Sequence, residues 1–303
     1  MGPEEEVYTL KEFKPGFGSN LMAKFAKHRM WVLLSPAFLQ VFLFFVLPTL
    51  IFLRISFYPA AKLGQYLPGL TLKSYIHFYT DTFYLNTFLF TFKLTIIVTL
   101  ATLLLGYPVA YLISKSRPMT KAIYLIILLI TMWTEYIIKI YGLVIVFSAN
   151  GLINSLLKKL GIIDGSIGML YNTFAVAVGL VQVAFPYMVL SLLGVLEKID
   201  PFLKDAARNL GAGRIKTFFS VTLPLSVPGI AAGCIFAALW TLGSYATPAL
   251  LGSEAQTTIA MRVEHEILTT FNWPFGAAMA FNMLFSIVAV YLFLNQFTKQ
   301  GRV

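Results

Sequence analysis

Lys204, Asp205 and Arg208 stand in a short polar run, residues 197–211, with long apolar stretches on both sides of it. Side chains of these types at this spacing form ion pairs and recognise a partner; they do not assemble a catalytic constellation. Covalent and metal chemistry have little to work with here. His28, His77 and His265 are widely separated with no Cys beside them, and the single Cys234 sits inside an apolar run, where a thiol packs as a small residue. The chain has no Gly-x-x-x-x-Gly-Lys-Ser/Thr phosphate loop, no His-Glu-x-x-His and no Gly-x-Ser-x-Gly, the spacings that would cradle phosphate, hold zinc or activate a serine. The expectation is a protein that is not an enzyme and holds no metal. Any ATP hydrolysis linked to it belongs to a partner.

A second group of polar residues lies inside apolar stretches. Thr241, Ser244, Tyr245 and Pro248 recur at i, i+3, i+4 and i+7, with Trp240 alongside. On one continuous helix they would share a face. Polar groups in lipid are costly and turn toward a cavity or another helix, so this stripe reads as a substrate-pathway face or as interhelical hydrogen-bond packing. Glu135 and Lys139 stand four apart, the spacing of a self-satisfied pair on one helix face; alternatively Glu135 faces a cationic solute. Gln182 near Pro186, and Asn282 with Ser286, are further cavity candidates.

The elements that must carry these residues are membrane helices. Of 303 residues 58% are hydrophobic and 12% charged, about half the charge of an ordinary soluble domain. The net charge of +10 is spread over short loops, which suits anionic lipid headgroups and membrane orientation and argues against nucleic acid. A crossing helix needs about 20 apolar residues. Six stretches qualify: 31–53, 86–113, 122–148, 171–196, 223–250 and 274–297. The fold class is all-α and polytopic, with about six transmembrane helices. Residues 1–30 form a polar N-terminal tail, 31–297 the transmembrane domain and 298–303 a C-terminal tail. The first apolar run starts late and is long, so it reads as a retained anchor rather than a cleaved signal. Lys and Arg concentrate in the tails and in the loops at 114–121 and 197–222, which places both termini and the polar run on the cytoplasmic side of the membrane. Between spans, residues 149–170 read as an Asn-Gly turn, a short amphipathic helix and a Gly-rich return.

Within the cytoplasmic loop, Asp200-Pro201 is a helix start, Asp capping the free N–H groups and Pro suiting the first position. Gly211 is a natural terminator. Ala206 and Ala207 leave room for a close backbone approach, while Lys204, Asp205 and Arg208 supply register. Taken alone this is either a docking helix or a plain solvated linker. The further spacing, Asp205-Ala-Ala-x-x-x-Gly211 followed by Val221-x-Leu223-Pro224, resembles the "EAA" loop of binding-protein-dependent ABC transporter permeases, with Asp205 for the usual Glu and Val221 for Ile. Leu242–Gly252, Asn272–Gly276, Ile137–Tyr141 and Asn150–Asn154 look like the spermidine/putrescine group of these permeases, although Lys139 stands for a more usual Arg.

The resemblance implies a type I ABC importer permease in which Lys204, Asp205, Ala206, Ala207, Arg208 and Gly211 form the coupling helix. It implies a second permease, an ATPase dimer that binds the ATP and Mg, a periplasmic solute-binding protein, and surrounding membrane lipid. The implied solute is a polyamine such as spermidine or putrescine, or a related opine, amino-acid derivative or aminophosphonate. An ion-coupled secondary transporter would call for inverted repeats and several intramembrane acids, and neither is clear in the sequence. A membrane scaffold with no substrate path is a further rival.

Overall fold

The computed structural model describes residues 34–61 and 65–300, with side chains of the last helix described through Leu292. The 1–30 tail, Trp31 and the last three residues lie outside the described residues. Two units divide the chain at residues 54 and 55. In the first, α1 spans Leu34–Ile55, about 33 Å at 1.5 Å per residue, enough to cross the hydrocarbon. A π turn at Phe42–Val46 precedes Pro48; Pro lacks an N–H and its ring crowds the carbonyl one turn back, so the helix widens there.

The second unit holds α2 (Lys73–Thr80), α3 (Thr82–Ser114), α4 (Pro118–Trp133), α5 (Tyr136–Phe147), α6 (Leu152–Lys159), α7 (Thr173–Leu196) and α8 (Pro201–Asn209). Then follow α9 (Arg214–Leu242, with a π turn at Phe218–Thr222), α10 (Ala246–Leu251), α11 (Ile259–Glu264, running into a π turn) and α12 (Trp273–Gln300). No strand of more than an isolated bridge, Ala60 to Tyr66, occurs among the described residues. Asp81 starts α3 by accepting the Phe83 N–H at 2.9 Å, and Asn172 starts α7 through the Ala175 N–H at 3.0 Å.

The core is the three-helix junction of α3, α7 and α9, with α12 laid against α9. Met188 of α7, fully buried, occupies a notch between Gly106 of α3 and Gly233 of α9. With no side chains at the two glycines the three backbones close around it. On α3, Thr87, Thr91, Thr95 and Thr102 turn their hydroxyls back to the carbonyls four residues earlier, which hides polar atoms inside an apolar helix. Thr91 Oγ1 also accepts the Ile259 N–H at 3.1 Å, tying α11 to α3.

Among the described residues six helical runs are long and apolar enough to cross a membrane, but two of the expected spans are discontinuous. The expected helix 122–148 is broken: Thr134 and Glu135 take extended angles, with ψ of 131° and 140°, between α4 and α5. Neither half, about 24 and 18 Å long, crosses alone. Leu128 of α4 packs with Ile113, Leu192 and Leu196 near α8, whereas Ile140 and Phe147 of α5 pack with Leu94, Val176 and Leu180 in the other half of the molecule. Together the two halves make one crossing. The run Tyr136–Lys159 is also long enough on paper, yet the Gly151 N–H bonds Ser148 O at 2.8 Å and turns the chain. The expected helix 223–250 begins earlier, at Arg214, and stops at Leu242; Gly243–Tyr245 interrupt it before α10.

Candidate functional site

The α8 end is built by local capping. Asp200 Oδ1 accepts the Phe202 N–H at 2.9 Å, and Pro201 opens the helix. At the other end Gly211 has φ +84°, its N–H bonding Arg208 O at 2.9 Å while the Ala212 N–H reaches Ala207 O at 3.0 Å. That pair of bonds is a Schellman closure, which requires the left-handed conformation glycine adopts without strain. Arg208 Nη1 lies 3.6 Å from Asp205 Oδ1, so Arg208 turns to this carboxylate. No residue of α8 is buried; Phe202 is 79% and Leu210 89% exposed. Ile215 and Phe219, just beyond, are exposed as well. Ala206 and Ala207 leave the helix without bulky cover. A short, firmly capped helix with apolar groups on show is shaped to be held by something else.

At the opposite end of α4, the two helix breaks lie side by side. Tyr136, the first residue of α5, puts its hydroxyl within hydrogen-bond reach of Ser244 Oγ (3.3 Å) and of Thr247 Oγ1, and its ring 5.7 Å from Trp240. The depth can be read from α7. A Cβ on Gly179, six residues into that helix, would touch Thr247 and Leu251, so the breaks sit about 9 Å inside the span at 1.5 Å per residue. Interrupted helices at such depth occur where backbone is buried in protein or lines a cavity.

This geometry corrects the single-face stripe. Thr241 is fully buried and bonds Ala237 O at 2.8 Å, and Pro248 is buried on α10 beyond the break. Ser244 is buried, its hydroxyl near Tyr136, while Tyr245 remains 44% exposed. The expected Glu135–Lys139 pair is also corrected. Glu135 instead caps α5, accepting the Ile137 N–H at 2.6 Å and the Ile138 N–H at 3.3 Å, and no ion pair joins it to Lys139 among the described residues. Trp240 is half-buried, and its indole N–H has no hydrogen-bond partner among the described residues. Gln182 is half-buried on α7. Asn282 and Ser286 serve packing: Asn282 accepts from Tyr79 at 3.1 Å, and Ser286 bonds the Asn282 carbonyl at 2.8 Å.

Two features escaped sequence reasoning. Tyr136, which joins the two breaks, follows Glu135 directly, and the signal for it was the capping carboxylate inside an apolar run. An open cleft of about 590 Å³ adjoins the second break, lined by Tyr245, Glu254, Arg262, Glu264 and His265 among others. Beside it, Glu266 is buried and held by Tyr84 at 3.0 Å and Thr270 at 2.7 Å. The charge density of residues 254–266 is visible in the sequence; its convergence with Tyr245 depends on the break at Gly243.

A helical membrane unit with interrupted spans and a capped, exposed helix between two of them defines a transport permease. The chain belongs to the family of binding-protein-dependent transport system inner membrane components, which it matches over residues 102–300. It is 35% identical over 241 residues to the spermidine/putrescine transport system permease protein PotB of Escherichia coli, covering 80% of this chain and 87% of that one. Its fold is similar to that of a bacterial ABC transporter involved in import of the acidic polysaccharide alginate, with TM-score 0.76, 15% identity, and 94% and 100% of the two chains covered. A bacterial alginate ABC transporter solved in complex with an alginate pentasaccharide-bound periplasmic protein gives TM-score 0.75 at 16% identity, covering 91% and 95%. The protein is thus a multi-pass inner-membrane permease subunit of an ABC importer, and it works with a binding protein.

Proposed function

We propose that the chain conducts a small organic amine, a di- or polyamine, inward, driven by an ATPase that seats on α8. The amine follows from the identity to the spermidine/putrescine permease over four-fifths of the chain. Carboxylate and aromatic groups at the breaks, Glu135, Tyr245 and Trp240, suit a cation in a dehydrated path. Trp240, Thr241, Ser244, Tyr245, Glu135 and Gln182 line or support that path. Lys204, Asp205, Ala206, Ala207, Arg208 and Gly211 present the coupling helix, with both termini and α8 on the cytoplasmic side. A second permease completes the pore, and an ATPase dimer binds the ATP and Mg.

The observation that carries the reading is the exposed, Schellman-closed α8. Its test is Gly211→Val in the complete transporter reconstituted with its binding protein. Apart from its own chain neighbours, no atom of the described residues lies within 4 Å of a Cβ at position 211, so the substitution crowds no other part of the fold. It strains the positive-φ closure and thickens the docking surface. Binding-protein-stimulated ATP hydrolysis is expected to fall at least tenfold while the subunits still copurify. Undiminished stimulation in that variant rules α8 out as the coupling element.

A further inference from the structure

We propose that the cleft beside the second break is a transit site at the mouth of the path, where the Glu254 and Glu264 carboxylates take the ammonium groups of the amine before it passes Tyr245 and the break. The inference rests on the amine reading above and deepens it, adding two residues outside the breaks and a step that precedes passage.

The cleft, about 590 Å³, is in the size range of small-molecule sites. It sits at the end of the unit opposite α8. The Tyr171 N–H, just before α7, bonds Leu251 O at 2.9 Å, and Gln256 Nε2 reaches Thr173 Oγ1 at 3.5 Å. The segments that wall the cleft therefore gather at the first turn of α7, whose last turn leads to α8. With α8 cytoplasmic, this is the outer mouth, the side on which a periplasmic binding protein docks. The cleft is also joined to the break. Tyr245 belongs to both, and the Thr258 hydroxyl, just before α11, donates to the Ser244 carbonyl at 3.3 Å.

Both carboxylates stand on fixed backbone. Glu254 opens a short turn closed by a capping box, in which the Ser253 N–H donates to Gln256 Oε1 at 3.0 Å. Glu264 ends α11, whose first N–H is held by Thr91. Neither carboxylate makes an ion pair among the described residues, although Arg262 stands in the same lining. Arg262 is turned aside: its guanidinium carbon lies 4.4 Å from the centroid of the Phe83 ring on α3, and its Nε is buried. Two carboxylates without a counter-charge repel each other, and in a cleft with protein walls they raise the local concentration of cations. Pro248 and Met261 add apolar wall. Carboxylates for the charges and apolar wall for the links suit ammonium groups joined by methylenes, and the site repels anions. Glu254 is exposed and Glu264 half-buried, so water screens both. Holding is weak, which suits a site that must release its cargo inward.

The test uses the complete transporter in proteoliposomes with spermidine-loaded binding protein. Flux of labelled spermidine, ATP hydrolysis and the binding-protein concentration for half-maximal hydrolysis are measured together. Glu254→Gln with Glu264→Gln keeps size and removes charge. It is expected to cut spermidine moved per ATP about fivefold at saturating binding protein, with the half-maximal concentration within twofold of wild type. Glu254→Gln alone is expected to cut the ratio about twofold, and it decides the matter if the double variant does not assemble. Glu254→Asp with Glu264→Asp keeps both charges and is expected to recover most of the ratio; failure to do so assigns these residues to shape and overturns the site. Unchanged spermidine per ATP in the glutamine variants overturns the site and leaves the amine reading standing. A half-maximal concentration raised more than twofold assigns the cleft to docking of the binding protein and also overturns it. A wild-type transporter that hydrolyses ATP but moves neither spermidine nor putrescine removes the amine reading and the site with it.

Discussion

Met188 shows at the residue scale how tightly the permease is fitted. A Cβ built on Gly233 would lie 2.3 Å from its sulfur, and one on Gly106 2.9 Å from its Cγ. Methionine is unbranched and adapts, so Gly233→Ala chiefly displaces a flexible side chain, although the Met188 Cα also stands 3.3 Å away. Gly229 presents a different obstacle, since its Cβ would meet the Ser191 carbonyl oxygen at 2.9 Å and the Leu192 Cα at 3.2 Å, both backbone. Moving backbone means separating α7 from α9, and overpacking of this kind costs about 1–3 kcal/mol. Gly229→Ala is therefore expected to lower the thermal midpoint of the detergent-solubilised complex by several degrees, and more than Gly233→Ala. Gly194→Ala, with open space around it, is expected to leave the midpoint unchanged. The opposite order in a thermal melt contradicts this account of the junction. None of the contact was legible in the sequence, because a glycine in an apolar run does not say which helix approaches it.

At the scale of elements, α4 links the two halves of the site. Its first turn carries Lys121, whose Nζ lies 2.5 Å from Glu197 Oε1 at the end of α7, three residues before the α8 cap. Its last turn leads to the break at Thr134–Glu135 and so to Tyr136. Any movement of α8 is expected to be passed to the break along this rod, by way of the ion pair. Both side chains are about one-third exposed, at 32% and 34%, so the pair contributes only about 0.2–1 kcal/mol to stability. Its loss should register in coupling rather than in folding. Lys121→Glu alone is expected to reduce flux per ATP several-fold, and Lys121→Glu with Glu197→Lys to recover most of it. A double variant no better than the single one would refute the link.

Here the sequence was informative in one direction only. Asp200-Pro201 and Gly211 announced α8 with both ends correct, because caps are local and their residue types are specific. The breaks were hidden, because apolar counts see length and not continuity. Neither Gly nor Pro stands at Thr134–Glu135 to warn of a stop, and Glu135 has the spacing of an ion pair with Lys139 while its carboxylate caps the α5 N–H groups.

For the whole molecule, the loop charges and the packing layers bear on the same question of which end faces which side. The α8 end carries the cluster of Ile113, Met188 and Leu192, and the α6 end the cluster of Leu94, Val176 and Leu251. The buried amide of Asn154 on α6 holds Ser148 O and Ile167 O at 3.0 and 3.1 Å and accepts the Ile167 N–H at 2.8 Å, fixing that cap over its end. Such stitching follows from one Asn inside an amphipathic stretch and was not predictable from spacing alone. The single Cys234 is 9% exposed within α9, so the native chain is a quiet background for thiol labelling. A membrane-impermeant maleimide is expected to modify Leu160→Cys in intact spheroplasts and Leu210→Cys only in inverted vesicles, both positions being well exposed at 70% and 89%. Labelling of both from the same side would contradict a transmembrane span between α6 and α8. Labelling with the two sides exchanged would keep the fold but reverse the orientation, moving α8 out of reach of any cytoplasmic ATPase.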